Sequence, residues 1–382
     1  MTVRKTKRGA SRTDLGGRHD LLVCGASFAG LMVARQVAGT GADVLVIDRY
    51  EIGERQTSAC AVPTSWLEAL GLLDAEQQRF EELVVHTGSN TSRIGLPWPI
   101  STFDYRTLCD LLWAGADATF ETAKVEGPGS ADPGGPVEVR TDRGTISAPL
   151  VVDAMGWRRI LAPDGGYQPP DAPLSRGLEV HPAGTGRDLE VWIERRYVPA
   201  GYGWSFPAGE ELRVGVGSFD PAYHVRKPTE ALASDLGLGV DGWQGNWIPH
   251  RLREATAGSV FFVGDSAGHC LPLTAEGIRP AFYFGMALGA ELKAVIGGHQ
   301  DRDRALSSYH RFNELHRSRF EGLLRAQRLL PRIPPRLLGP LMSRLESPDF
   351  ADWAFGKYLD IAPPGFVSAM GGQAPSPVPT PA

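Results

Sequence analysis

The chain has 382 residues, enough for two domains or one large elaborated domain with a sizeable core. Its 39 Lys and Arg stand against 44 Asp and Glu, a net charge of −5, and no basic run is interleaved with aromatics; a nucleic-acid function is excluded and the expected partner is a small molecule. Four cysteines, Cys24, Cys60, Cys109 and Cys270, lie far apart with no CxxC pair, so neither a disulfide framework nor a metal site is expected and a reduced, cytoplasmic setting is the default.

Residues 1–18 hold six basic side chains (Arg4, Lys5, Lys7, Arg8, Arg12 and Arg18) and no apolar stretch, which reads as a disordered basic tail and not a secretory signal. No run reaches the ~20 apolar residues of a membrane-spanning helix. Residues 19–48, HDLLVCGASFAGLMVARQVAGTGADVLVID, form one complete β-α-β pattern. A strand at 21–24 leads into the turn GASFAG, a helix at 31–38 and a second strand at 43–47, which Asp48 closes. In such a unit Gly25 reverses the chain. Small residues let backbone N–H groups approach a pyrophosphate at the helix start, and the terminal acid binds a ribose hydroxyl. Ser27, Phe28, Ala29 and Gly30 complete the turn, and Arg49 follows Asp48. Ser27 replaces the middle glycine, so this position is predicted to keep a negative φ against the pyrophosphate.

A polar loop follows, then a helix near 65–73, short strands over 80–100 and a helix at 105–113. Three strand candidates, joined by a Gly/Pro loop at 127–136, end at Asp153 and read as a meander returning to the sheet. Residues 166–249 are strand-rich, aromatic and Gly-punctuated. A buried strand at 259–263 precedes GDSAGHC and a long apolar helix at 280–295. Residues 302–358 are helical and Arg-rich, with a Pro-rich interruption at 330–340, and 364–382 read as a Pro/Gly-rich tail.

The second informative stretch is VFFVGDSAGHCLPLTAEGI, residues 260–278. A buried strand ending in Gly264-Asp265 and small residues is expected to open a second helix start toward the ligand, with Asp265 on polyol hydroxyls. NAD has no ribityl chain for that carboxylate to hold, so the pair of turns selects FAD.

Across residues 19–300, GASFAG with Asp48, YRTLCDLL, VVDAMG, GYGWSFP and GDSAGHCLPLTAEGI resemble, in order, the FAD-dependent monooxygenase and geranylgeranyl-reductase superfamily. The resemblance implies that Gly25, Ser27, Gly30 and Asp48 bind the ADP half of a non-covalent FAD, with Arg106 beside the cofactor. It further implies that Asp265 holds the ribityl chain and that Pro272, Glu276, Gly277 and Ile278 line the flavin ring. Hydroxylases of this kind usually carry Asp-Gly where this chain has Asp153-Ala154-Met155-Gly156. No second Gly-rich β-α-β unit follows, so NAD(P)H would visit transiently or a partner reductase would supply electrons.

The expected architecture is α/β, with a Rossmann-like FAD-binding domain (19–79, 101–165 and 255–300), an antiparallel-sheet substrate domain (80–100 and 166–254) and a helical C-terminal region (301–363). GYGWSFP is similar to the aromatic pattern with which prenyl reductases shape an isoprenoid pocket, making Tyr202 and Trp204 candidate substrate contacts. Halogenases require a lysine after the first β-α-β unit, and none lies between Lys7 and Lys124. Prenyl reductases often place a cysteine in the loop after the second strand; Cys60 is therefore either a proton donor to a reduced alkene or a plain loop cysteine. His269 reads either as an acid or as a core histidine. The Arg311 to Arg344 stretch reads either as a peripheral contact with anionic membrane or as a solvated helix face. The leading expectation is reduction of a C=C bond in an apolar, prenyl-like substrate. The alternatives are monooxygenation of a polycyclic scaffold and a non-redox cyclase with Glu276 as acid.

Overall fold

The computed structural model describes residues 13–56, 58–131, 135–162 and 174–370. At its centre is a six-stranded sheet ordered Thr256–Ala257, Val260–Phe262, Leu150–Asp153, Leu21–Cys24, Val44–Asp48 and Thr119–Thr122, parallel except for the Thr256–Ala257 edge. Its strands are short, continuous apolar runs because both faces are covered. Leu21, Val23, Val44, Val46, Leu150 and Val152 pack against the helices Phe28–Gln36, Tyr105–Ala114 and Ile278–Ile296. The alternate residues Leu22, Cys24, Leu45, Ile47 and Val151 pack against a separate four-stranded sheet ordered Gly17–Arg18, Gly144–Ala148, Val137–Thr141 and Val125–Ala131.

That second sheet corrects the expected meander. Only Thr119–Thr122 and Leu150–Asp153 rejoin the parallel sheet, while the strands between them form their own layer over it. The Val125–Ala131 strand also runs into the region expected as loop. Gly17–Arg18, read as part of a tail, pairs in parallel with Ile146 and Ser147.

An eight-stranded sheet forms the second half of the molecule, ordered Gln244–Pro249, Leu174–Val180, Glu211–Ser218, Gly201–Ala208, Leu189–Ile193, Glu76–Thr87, Asn90–Phe103 and Ala61–Pro63. It draws strands from both sides of the nucleotide unit, so each long connection crosses between the two sheets. The helix Arg226–Asp235, not expected from the sequence, buries Leu232 and Ala233 against one face with Val214, Val216 and Trp192. On the other face Val85 and Ile94 meet Ala351, Met342 and Phe355 from the C-terminal helices Pro335–Ser343 and Pro348–Leu359. The Pro-rich interruption is shorter than expected, because a helix starts at Pro335 and retains Pro340 inside it. The expected tail begins with a helix, Gly365–Ala369, which buries Val367 in the main core.

One contact sets how closely the first helix approaches its strand. A Cβ on Gly30 would lie 1.9 Å from the Gly25 carbonyl oxygen, and one on Gly25, at φ +115°, would lie 2.4 Å from that of Ala154. Neither neighbour is a flexible side chain, so the backbone itself would have to move. Gly30→Ala is therefore expected to lower the unfolding free energy by about 1–3 kcal/mol, read from the denaturant midpoint at constant m-value; an unchanged midpoint would refute the close approach.

Candidate functional site

The first turn is built as a cradle. Ser27 takes φ −110° and ψ −171°, the negative φ expected, before the helix begins at Phe28. Its hydroxyl lies 3.2 Å from that of Tyr105 at the head of the Tyr105–Ala114 helix. Asp48 accepts hydrogen bonds from the backbone N–H groups of Ala26 (2.9 Å) and Tyr50 (3.0 Å), and burial raises its pKa. The acid therefore braces the turn as well as facing the cleft. Phe28 is a core residue, edge-on to Phe103, Tyr105 and Phe282, so the cradle is made by its backbone and not its ring. Ala29 is buried beside it. Arg49 is exposed over the Tyr50 ring, and Arg106 is exposed with Gly53 packed against its stem.

The second turn meets the first: a Cβ on Gly264, at φ +64°, would fall 2.9 Å from that of Ala29. Residues Gly264–Ala267 form one short 3-10 turn and the α-helix starts only at Ile278, so the expected helix start immediately after the turn is replaced by a loop. Asp153 locks the turn from behind, accepting from the Ser266 hydroxyl at 2.7 Å and the N–H groups of Met155 and Leu161. Asp265 differs: its carboxylate makes no hydrogen bond among the described residues, and burial pushes its pKa up to about 6 against the pull of Arg253. A half-buried carboxylate with no hydrogen-bond donor among the described residues, beside two glycine turns in contact, fits a dinucleotide carrying a polyol chain.

His269 is corrected by its contacts. It has no exposed surface, stacks on Phe284 at 3.7 Å, accepts the Gly264 N–H at Nδ1 and places Nε2 2.9 Å from Asn313 Oδ1. Burial pushes its pKa down to about 3, so it is a neutral strut of the turn and not an acid.

The following loop carries the residues expected around the ring. Gly277 sits next to Asp265, a Cβ there falling 3.8 Å from Oδ1, while Pro272 and Ile278 are buried. Glu276 is held by Arg279 through two 2.7 Å hydrogen bonds and also accepts from the Tyr358 hydroxyl. The carboxylate offered as the acid of the cyclase alternative is thus occupied by two partners from its own chain. Leu273 and Ala275 hold positive φ values of 73° and 54°.

Above this loop stands the roof. On Gly201–Ala208, Tyr202, Trp204 and Phe206 alternate as half-buried residues on one face. The Trp204 ring lies in a glycine trough: a Cβ on Gly215 would come within 2.3 Å of it, and Gly217 and Gly177 flank it. Its indole N–H donates to Glu179 at 3.0 Å. Glu179 is buried and also engages His181 and Gln244. Burial pulls the His181 imidazolium down, but Glu179 and Glu211 outweigh it and its pKa is pushed up to about 9. Tyr202 donates to the Thr274 carbonyl and Thr274 meets the Tyr358 hydroxyl at 2.8 Å, so roof and loop are joined directly.

Cys60 sits where these parts converge. The fully buried Arg213, on the roof, donates to the carbonyls of Ala59 (3.0 Å) and Phe103 (3.0 Å), and more loosely to that of Cys60 itself at 3.4 Å. Cys60 is held at φ 53°, a costly conformation for a residue with a Cβ. Its thiol is enclosed against the Ser58 carbonyl at 3.2 Å, and burial raises its pKa, keeping it protonated.

Sequence reasoning did not identify Glu179, Arg213, Arg279 or Tyr358, because nothing in their local spacing marks them; the glycine alternation GVGS opposite GYGW was the one visible hint of the trough. Among the described residues Glu254, His310 and Glu314 approach metal-ligand spacing, but Arg317 pairs with both carboxylates and accounts for the cluster as an ion-pair network.

No family model matches the chain. It is 25% identical over 370 residues to the digeranylgeranylglycerophospholipid reductase of Methanothrix thermoacetophila, spanning 87% of this chain and 92% of that protein. To the enzyme of that name from Methanocaldococcus jannaschii it is 24% identical over 371 residues, 89% and 94% of the two chains. Among solved structures, a geranylgeranyl bacteriochlorophyll reductase-like protein from Thermoplasma acidophilum superimposes with a TM-score of 0.78 at 17% identity, covering 93% of this chain and 98% of that one. A flavin-dependent brominase gives 0.67 at 14% identity, covering 94% of each. The solved structures share the mixed α/β fold, with its Rossmann-type sheet and C-terminal helices.

Asp265 yields a test whose two readouts move in opposite directions. Its folded-state pKa lies above the ordinary 3.8, so its contribution to stability is fully present below pH 4 and is lost as pH rises through about 6. In the apoprotein at pH 7, Asp265→Asn is expected to raise unfolding free energy by on the order of 2 kcal/mol, with the gain shrinking toward pH 4, while FAD affinity falls. A less stable apoprotein would reveal a structural partner for the carboxylate.

Proposed function

We propose, for a chain that belongs to the FAD-dependent monooxygenase and geranylgeranyl-reductase superfamily and is an FAD-dependent oxidoreductase, that it reduces a C=C bond in a prenyl-like apolar substrate. The observation that carries this reading is the glycine trough: three glycines on neighbouring strands make room for the Trp204 ring, 6.1 Å from that of Tyr202 and tilted by 59° to it, and Tyr202 joins this aromatic wall to the Leu271–Gly277 loop through the Thr274 carbonyl. Such a wall suits an elongated hydrocarbon, which it grips by area with no polar discrimination.

Between residues 193–201 and the C-terminal segment 330–338 is a cavity of about 560 Å³, lined by Ile193, Val198, Pro199, Leu330, Pro331 and Ile333 together with the charged run Glu194–Arg196. In this reading it takes the apolar chain. Bound FAD would supply the two-electron chemistry, delivering a hydride to one alkene carbon. Gly25, Gly30 and Gly264 give its phosphates room, with Ser27 contributing backbone N–H groups; Asp48 and Asp265 hold its ribose and ribityl hydroxyls, and Arg106 stands at the cleft edge. The remaining proton is assigned to Cys60, whose thiol burial keeps protonated and whose loop Arg213 fixes; donation requires Sγ to leave the Ser58 carbonyl. The electron source is NAD(P)H visiting transiently or a partner reductase.

Oxygen separates this reading from monooxygenation. With flavin reduced anaerobically, a prenyl alkene should be saturated with no oxygen present, as seen by mass spectrometry; product formed only with O₂, one oxygen heavier, would overturn the proposal. Cys60→Ser should retain its FAD and lose about 10²–10⁴-fold in turnover. Full turnover would remove the thiol from the mechanism.

A peripheral membrane contact is part of the same reading, on a smaller surface than the sequence suggested. Arg317 is paired with Glu314, Arg319 donates to the Asp360 carbonyl and Arg325 approaches Glu321. Arg332, Arg336 and Arg344 remain exposed on the C-terminal segment that also carries Leu329, Leu337, Leu341 and Trp353, which are 37–57% exposed. No described helix is long and apolar enough to cross a membrane. Holoprotein should float with anionic liposomes and not with neutral ones. Replacing Arg332, Arg336 and Arg344 with Gln should abolish flotation; unchanged flotation would dispose of this contact.

A further inference from the structure

A second concavity, of about 400 Å³, lies between residues 250–252 and the helix Arg317–Leu329. Its floor is apolar, from the buried Leu252, Phe320 and Leu324, and its walls carry Arg251, Arg317, Arg325 and Arg328 against Glu321, the one carboxylate among its lining residues. Arg317 is satisfied by Glu314 and Glu254, and Arg325 lies 3.9 Å from Glu321. Arg251 and Arg328 have no ion pair or hydrogen bond among the described residues. Beside them His250 is only 8% exposed; its Nδ1 is 2.9 Å from the Ser175 hydroxyl, and its Nε2 has no hydrogen-bond partner among the described residues. Burial, and then the charges of Arg328 and Arg251, push this imidazole down to about pKa 4, an independent sign that both guanidinium groups bear on it.

Like charges gathered around a concavity repel unless an anion joins them, and guanidinium groups with free planar edges match phosphate oxygens. We propose that this concavity binds a phosphate or diphosphate group, with Arg251 and Arg328 as the charged donors and His250 Nε2–H as a neutral third. The volume holds roughly a dozen water-sized groups, a phosphorylated headgroup in place of a whole dinucleotide. The site is also tied to the cofactor turn. The Arg253 N–H donates to the Ala267 carbonyl at 2.9 Å, and Gly268 is packed so closely on the Arg251 carbonyl that a Cβ there would fall 2.0 Å from it. The reductase reading enters only in naming a source: the group is the head of a phosphorylated prenyl lipid, or a free phosphate compound.

Calorimetry of the holoprotein with inorganic pyrophosphate, and separately with glycerol phosphate, tests this without turnover. Saturable one-site binding is expected, weakened at least about tenfold in Arg251→Gln/Arg328→Gln and unchanged in Arg332→Gln/Arg336→Gln. Flavin absorbance and thermal midpoint check that the variants fold; Arg328→Gln alone, at an exposed helix position, provides the reading if the double variant does not. Binding of glycerol phosphate with the same losses supports a glycerophosphate head; with pyrophosphate binding alone, tighter binding of a prenyl diphosphate than of pyrophosphate supports a lipid head, and equal or weaker binding supports a free phosphate compound. No saturable binding of either probe, or equal affinity in parent and Arg328→Gln, would overturn the proposal. Failure of alkene reduction leaves these outcomes untouched, so the two proposals fail separately.

Discussion

The arrangement depends most on one buried cation. Arg279 has no exposed surface, and removing a guanidinium from water costs several kcal/mol unless its donors are satisfied. Here they are: Nε and one terminal nitrogen grip Glu276, and the other terminal nitrogen serves the carbonyls of Leu359, Ile361 and Ala362. The same side chain therefore fixes the loop before its own helix and the chain end some 80 residues later. Trp66, also fully buried, donates its indole N–H to the Ala362 carbonyl and ties that segment to a third part of the chain. Loss of Arg279 would leave a carboxylate and three carbonyls without their donor in one place, a penalty much larger than that of a broken surface ion pair.

This frame explains how a loop with two left-handed non-glycine residues can stay ordered. Leu273 and Ala275 cost backbone energy. Their neighbours are held at both sides: the Leu273 N–H by Gln327, the Thr274 carbonyl by Tyr202 and the Thr274 hydroxyl by Tyr358. The strained segment is thus clamped between the substrate sheet and the C-terminal helices. Cys60 repeats the pattern on the other side of the cleft, with a left-handed residue held by Arg213 from the same sheet. In both places the eight-stranded sheet supplies the clamp, so the spacing between roof and cofactor loop is a matter of direct hydrogen bonds.

What was legible in the sequence follows from how local each signal is. The β-α-β unit was visible because strand, turn, helix and acid lie within residues 19–48 and each has its own periodicity or turn chemistry. The negative φ at Ser27 was legible for the same reason: one Cβ restricts one residue. The separate four-stranded sheet was not, because a strand reads alike whichever sheet it joins, and only long-range register decides. His269 was ambiguous because its role rests on Asn313, 44 residues away. Arg213 and Glu179 were invisible because ordinary charged residues on alternating strands give no motif; their burial is a consequence of where the strand edges meet. Part of the expected substrate region, residues 166–173, lies outside the described residues.

Three aspartates at or just beyond the strand ends of one sheet, Asp153 buried and Asp48 and Asp265 half-buried, show how structure and function divide the same side chain. Among the described residues Asp153 accepts from three donors, Asp48 from two, and Asp265 from none. All three lose hydration on folding, so the difference lies in what replaces it. For Asp153 the replacement is complete and internal, and its work is to hold the 3-10 turn. Asp48 is intermediate, bracing the glycine turn with lone pairs to spare. Asp265 has no donor among the described residues and keeps part of its surface open, so its oxygens are left for whatever enters between the turns. The deficit is therefore best explained by a ligand rich in hydroxyls, and it falls where the two glycine turns touch, which is where a dinucleotide would bring its polyol.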